Sequence, residues 1–116
     1  MREPANDIIR LKHILESIDR ISEFTDGLDE QALNSNVLHK HATAYNIQII
    51  GEAVYKLSKE FKATHSEVPW SMIEKMRHIL VHDYYQVNSH IMWLVISEDI
   101  PALKPLIEKY SAEAID

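Results

Sequence analysis

The chain has no cysteine, only two glycines and four prolines among its 116 residues, and no apolar run longer than Ile91 to Ile96. The first absence leaves no disulfide to staple the fold. Turn-forming residues are scarce, and β-branched clusters bounded by them are missing, so strands have little to build on and an all-α fold is expected. The apolar run is far shorter than a membrane span, and the N-terminal stretch MREPANDIIRLKHILESIDR is charged throughout, with no apolar signal core. A soluble, cytoplasmic protein with no membrane partner is the expectation. Repeats and low-complexity segments are also lacking, and the length suits one core but not two, which gives a single domain over residues 1–116.

The net charge of -6 argues against a protein that grips nucleic acid over its whole surface, and no DNA partner is expected. The charge is nevertheless uneven. Residues 1–39 carry -4, residues 40–80 carry +2 and residues 81–116 carry -4. The basic segment includes Lys56, Lys59, Lys62 and Lys75, so a polyanion such as RNA should be met there and repelled elsewhere. The plain alternative for Lys56, Lys59 and Lys62 is an ordinary solvated helix face.

Apolar spacing divides the chain into helices. Ile8, Leu11, Leu15, Ile18 and Ile21 recur at steps of three and four, predicting a helix from Pro4 to Phe24 that Asp26-Gly27 ends. A short turn of helix starts near Asp29. A long helix follows from Asn36 to Phe61, with Tyr45, Ile49, Ala53 and Leu57 on one side and Gly51 marking the close approach of another helix. Residues 62–68 read as a polar loop. Pro69 and Ser71 open a third long helix, whose apolar face begins with Trp70, Ile73 and Met76 and whose end falls between Asp83 and Val87. Asn88 caps a further helix through Ser97 that contains Trp93, and Pro101 opens a last one to Ala114. The two tryptophans read as core anchors. An up-and-down bundle of four to five helices accounts for this pattern.

The stretch PWSMIEKMRHILVHDYY at residues 69–85 carries the chemistry, because Arg77, His82 and Tyr84 form an R-x4-H-x-Y pattern on an otherwise ordinary helix. A fixed cation, a group titrating near neutral pH and a phenol are tools for handling a phosphodiester. They suit metal-independent RNA cleavage, in which the 2′-hydroxyl attacks the neighbouring phosphorus. His82 would move the proton, Arg77 would stabilise the phosphoryl charge, Tyr84 would position the phosphate or stack on a base, and His78 would support the others.

On an ideal helix Arg77 and His82 point about 140° apart, whereas Arg77 and Tyr84 fall within about 20°. Either the helix unwinds near His82, or two copies of the helix pack across a dimer interface and complete each other's sites; the second reading is favoured. The bland alternative is a bundle end capped by histidines and tyrosines, with Arg77 paired to Glu74 or Asp83. A metal site from Glu74, His78 and His82 is disfavoured, because ligands on successive turns span about 12 Å. No metal and no cofactor is therefore assigned. His13, His39, His41, His65 and His90 suit surface or capping roles.

Five blocks in order now carry a resemblance: IIGEAVYKLS at 49–58, VPW at 68–70, MRHILVHDYY at 76–85, Trp93, and DIPAL at 99–103. Together they resemble the HEPN superfamily, specifically its HepT-like toxins. The resemblance implies a helical bundle that dimerises through its motif-bearing helices, with Arg77 and His82 of both subunits forming a metal-independent ribonuclease site. His78 departs from the asparagine common at that position and adds a second titratable group. The resemblance further implies a type VII-like toxin-antitoxin pair, in which a nucleotidyltransferase antitoxin silences the toxin by transferring AMP to Tyr84, with Tyr85 the adjacent competitor. Glu52, inside IIGEA, would be structural or would hold Arg77 in place. The rival reading is a non-catalytic interaction or nucleotide-binding module that partners a nucleotidyltransferase.

Overall fold

The computed structural model describes the backbone of residues 4–82 and 89–115 and the side chains of residues 6–76 and 90–113. Every regular element among them is helical: α1 (Pro4–Thr25), α2 (Glu30–Ser35), α3 (Val37–Lys56), α4 (Lys59–Thr64), α5 (Trp70–His82), α6 (Ser89–Leu94), a π-helical turn (Val95–Asp99) and α7 (Ile100–Ile115). The all-α bundle expected from the sequence is what forms. No helix among the described residues is long and apolar enough to cross a membrane.

Helix α1 buries Leu11, Ile14, Ile18 and Ile21 almost completely, while Ile8 and Leu15 lie half-buried at the edges of the stripe. It ends where expected. Gly27 has a φ of 74°, a left-handed conformation that glycine adopts without a Cβ penalty, and the chain folds back with a Leu28 N–H bond to the Thr25 carbonyl. Asp29 then caps α2 by accepting from the Ala32 N–H, and Asn36 caps α3 by accepting from the His39 N–H. His39 hydrogen-bonds the Phe24 carbonyl at 2.8 Å, tying the start of α3 to the end of α1.

The core-facing side of α3 differs from expectation. Of the side named from the sequence, Ala53 and Leu57 are buried, but Tyr45 is 63% exposed and Ile49 half-buried, whereas Thr43, Asn46, Ile47, Ile50 and Val54 are buried. Apolar residues at 47, 49 and 50 support two helical registers, and the larger buried set Ile47, Ile50 and Val54 wins. Gly51 is buried as anticipated, on a helix that lies between α1 and α5.

The long helix expected to reach Phe61 stops instead at Lys56. Leu57 and Ser58 are extended (ψ 146° and 151°), and a separate α4 replaces part of the anticipated loop. Two interactions account for the break. The Asp7 carboxylate accepts from both the N–H and the hydroxyl of Ser58, each at 2.8 Å in a buried setting. The Ser58 hydroxyl oxygen in turn accepts from the Phe61 N–H, capping α4.

Trp70, Ile73 and Met76 of α5 are buried, as the pattern predicts, and the Trp70 indole N–H donates to the His65 carbonyl. The expected end of α5 and the Asn88 cap lie outside the described residues. Beyond them α7 starts at Ile100, within one residue of the expected Pro101, but the preceding helix runs into it without the break expected after Ser97. Leu94 and Ile100, flanking the π-turn, are both right-handed helical, and the Ile100 N–H donates to the Val95 carbonyl five residues back. The buried positions explain this: Met92, Val95, Ile100, Leu103, Ile107 and Tyr110 advance by steps of three or four except once, from Val95 to Ile100. The wide turn absorbs that step of five and leads directly into Pro101, which has no N–H to place.

Candidate functional site

Arg77, His78 and His82 all stand on α5, which remains α-helical through His82 and so leaves no unwound turn between Arg77 and His82. Their side chains, like Tyr84 and Tyr85 altogether, lie outside the described residues. Glu74, one turn before Arg77, is described. Lys62 holds its carboxylate at 2.8 Å and also donates to the Val54 carbonyl at the end of α3. Lys62 thus joins α3, α4 and α5, and Glu74 has a partner other than the arginine that the bland reading offered it.

The basic residues named from the sequence do not form one set. Lys56 and Lys59, both exposed, line a groove of about 480 Å³ with Lys62, Tyr55 and Glu74. Arg10 of α1 completes its wall. Sequence reading missed this arginine because it stands in a segment of net charge -4; an antiparallel pairing of α1 with α3 is what carries it there. Lys75 is exposed on α5 and is not among the residues that line the groove.

Glu52 is half-buried on α3 and lines an adjoining hollow of about 270 Å³ with Arg10, His13, Tyr45, Gln48 and Lys56. This hollow and the groove share Arg10 and Lys56, which places a carboxylate close to the basic strip. Among the described residues no group of three or more His, Cys, Asp or Glu side chains is arranged to hold a metal ion.

The other histidines divide as their environments dictate. His65 bonds the Phe61 carbonyl at 2.8 Å and stacks on the Phe61 ring at 4.0 Å, while His90 pairs with Glu30 at the surface. His13 and His41 are exposed. His65 belongs to an aromatic cluster with Trp70 and Tyr110, and the Tyr110 hydroxyl donates to Glu67. Burial, then the Glu67 hydrogen bond and the negative charges of Glu67 and Glu113, push the Tyr110 phenol above its ordinary range.

Residues 14–110 match the family described as Ribonuclease HepT-like. A protein of Methanocaldococcus jannaschii named "Gamma-glutamylcyclotransferase and putative RNase" is 38% identical over 105 residues, covering 90% of this chain but only 47% of that protein. A "Putative RNase" of Caldanaerobacter subterraneus is 36% identical over 99 residues, covering 85% of this chain and 88% of the relative. A "Probable ribonuclease HepT" of Thermococcus cleftensis is 35% identical over 99 residues, with 85% and 90% covered. No solved structure matches significantly. The family match spans most of the helical bundle, from the middle of α1 to Tyr110, and the chain belongs to the Ribonuclease HepT-like family.

Proposed function

We propose that the chain is a metal-independent ribonuclease, the cytoplasmic toxin of a type VII-like toxin-antitoxin pair. The observation that carries the reading is family membership together with an R-x4-H-x-Y pattern, Arg77, His82 and Tyr84, in a family described as ribonucleases. His82 takes or returns the proton as the 2′-hydroxyl oxygen bonds to phosphorus and the 5′-oxygen leaves, and Arg77 stabilises the charge on the phosphoryl oxygens. The products are a 2′,3′-cyclic phosphate and a 5′-hydroxyl, and no external nucleophile is consumed.

A helical register from Arg77 to His82 supports a site shared between two copies of α5 in a homodimer, since one ideal helix turns the two residues about 140° apart. In the same reading a nucleotidyltransferase antitoxin transfers AMP to Tyr84. The added phosphate competes for the cation that RNA needs, and its bulk blocks the cleft.

The test is incubation of wild type and His82→Ala with total cellular RNA in excess chelator. Chelator-resistant cleavage that vanishes in the variant and leaves cyclic phosphate ends supports the reading. Absence of cleavage by a wild-type preparation whose intact mass shows no adenylyl group overturns it, and favours the non-catalytic module.

A further inference from the structure

The groove beside α1 and the end of α3 brings Arg10 to three lysines that lie far from it in sequence. Arg10, Lys56, Lys59 and Lys62 line it with a single carboxylate, Glu74, which Lys62 already holds at 2.8 Å. Among the residues that line the groove, four cations thus stand against one carboxylate, on a chain of net charge -6. Tyr55, 57% exposed, adds an aromatic ring beside these cations. At the α5 edge the groove is lined by Glu74, which precedes Arg77 by three residues, about 4.5 Å along the helix axis.

We propose that this groove is the track for single-stranded RNA approaching the α5 motif, with Arg10 and Lys59 meeting phosphates and the Tyr55 ring stacking on a base. The inference rests on the ribonuclease reading and extends it to residues outside the motif. Single-strand sites combine a cationic groove that follows the backbone with an aromatic platform for bases, and both parts are present here. Lys62 shapes the wall instead of meeting RNA, because its ammonium is engaged by Glu74 and by the Val54 carbonyl. An acidic protein surface would use the same cations but would have no need of the ring, so Tyr55 separates the two occupants.

The probe is a 2′-O-methyl RNA oligonucleotide, which keeps phosphates and bases but has no free 2′-hydroxyl to attack. Its binding to the full chain is read by fluorescence anisotropy across a salt series, with circular dichroism confirming that each variant folds. Arg10→Gln and Lys59→Gln are expected to weaken binding severalfold and each to lower the steepness of log K against log salt by about 0.7, the loss of one phosphate contact. Tyr55→Leu should weaken binding about tenfold, while Tyr55→Phe retains wild-type affinity because stacking needs only the ring. Lys104→Gln, on α7 and away from the groove, should leave the slope unchanged. Wild-type affinity and slope in Arg10→Gln and Lys59→Gln, failure of the wild type to bind the oligonucleotide, or equal losses in the two Tyr55 variants overturns the track. Cleavage of unmodified RNA is followed in parallel. Wild-type cleavage with unaltered binding in the groove variants sinks the track and leaves the ribonuclease; groove-dependent binding without cleavage does the reverse.

Discussion

The Asp7 carboxylate receives the Ser58 N–H on one oxygen and the Ser58 hydroxyl on the other, both at 2.8 Å, linking the first turn of α1 to the corner between α3 and α4. Asp7→Ala leaves that buried amide and hydroxyl without their acceptor, and a loss of about 2–3 kcal/mol is expected. Ser58→Ala removes one bond and the α4 cap but leaves the backbone N–H paired, so a smaller loss of about 1 kcal/mol should follow. Urea denaturation of both variants checks the order; an Asp7→Ala protein as stable as wild type would show that the corner does not depend on this contact.

Lys62 and Glu74 form an ion pair in which both side chains are largely shielded from water (18% and 29% exposed). A double-mutant cycle with Lys62→Met and Glu74→Gln should give a coupling of about 1 kcal/mol, above the few tenths usual for open surface pairs. Lys62→Met alone should cost more than the coupling, because the Val54 carbonyl at the end of α3 also loses its donor.

Gly27 has open space where a Cβ would stand, with nothing within 4 Å, yet its φ is +74°. Gly27→Ala therefore meets no clash and should destabilise by about 1 kcal/mol through backbone conformation alone. Gly27→Asn should recover part of that loss, since asparagine tolerates the left-handed region better, and thermal melts of the two variants make the comparison.

Two acids are disfavoured in their charged forms. Burial, followed by repulsion from Glu98, raises the Asp99 carboxyl above 3.8, and the Tyr110 phenol is raised above 10.0. A raised acid contributes stability that is present below its unfolded pKa and is lost as pH climbs through the folded value. Stability should accordingly decline as pH rises from 3.8 through the Asp99 transition, and again above pH 10 as unfolded chains ionise their tyrosine first. Asp99→Asn should raise the Tm at pH 7 relative to wild type, and absorbance titration at alkaline pH should show a late-ionising tyrosine that Tyr110→Phe removes.

How far the sequence could be read depended on how local each determinant is. The α1 stripe, Gly27, the helix starts at Asp29 and Asn36 and the Trp70-Ile73-Met76 face depend on residues within one or two turns, and all were legible. The end of α3 was not, because Leu57 and Ser58 leave the helix for Asp7, a partner 51 residues away that periodicity cannot signal. Arg10 escaped for the same reason: its place beside Lys56 and Lys59 follows from helix pairing, while its own segment is acidic. Continuity through Pro101 was hidden because helix reading assumes 3.6 residues per turn throughout. Arg77, His82 and Tyr84 were singled out by residue type alone, since a cation, an imidazole and a phenol within eight residues are unusual company.

The π-turn at Val95–Asp99 works as a phase shifter within a single rod. It delays the helical rotation by about one residue, so that Val95 and Ile100 both reach the core although an uninterrupted α-helix would set them about 140° apart. Winding the same residues at regular α-helical pitch would rotate α6 by about 100° relative to α7, whereas deleting one residue from the turn would restore the pitch and keep the phase. Val95 would swing toward solvent, away from the face that Ile100, Leu103, Ile107 and Tyr110 present to the core.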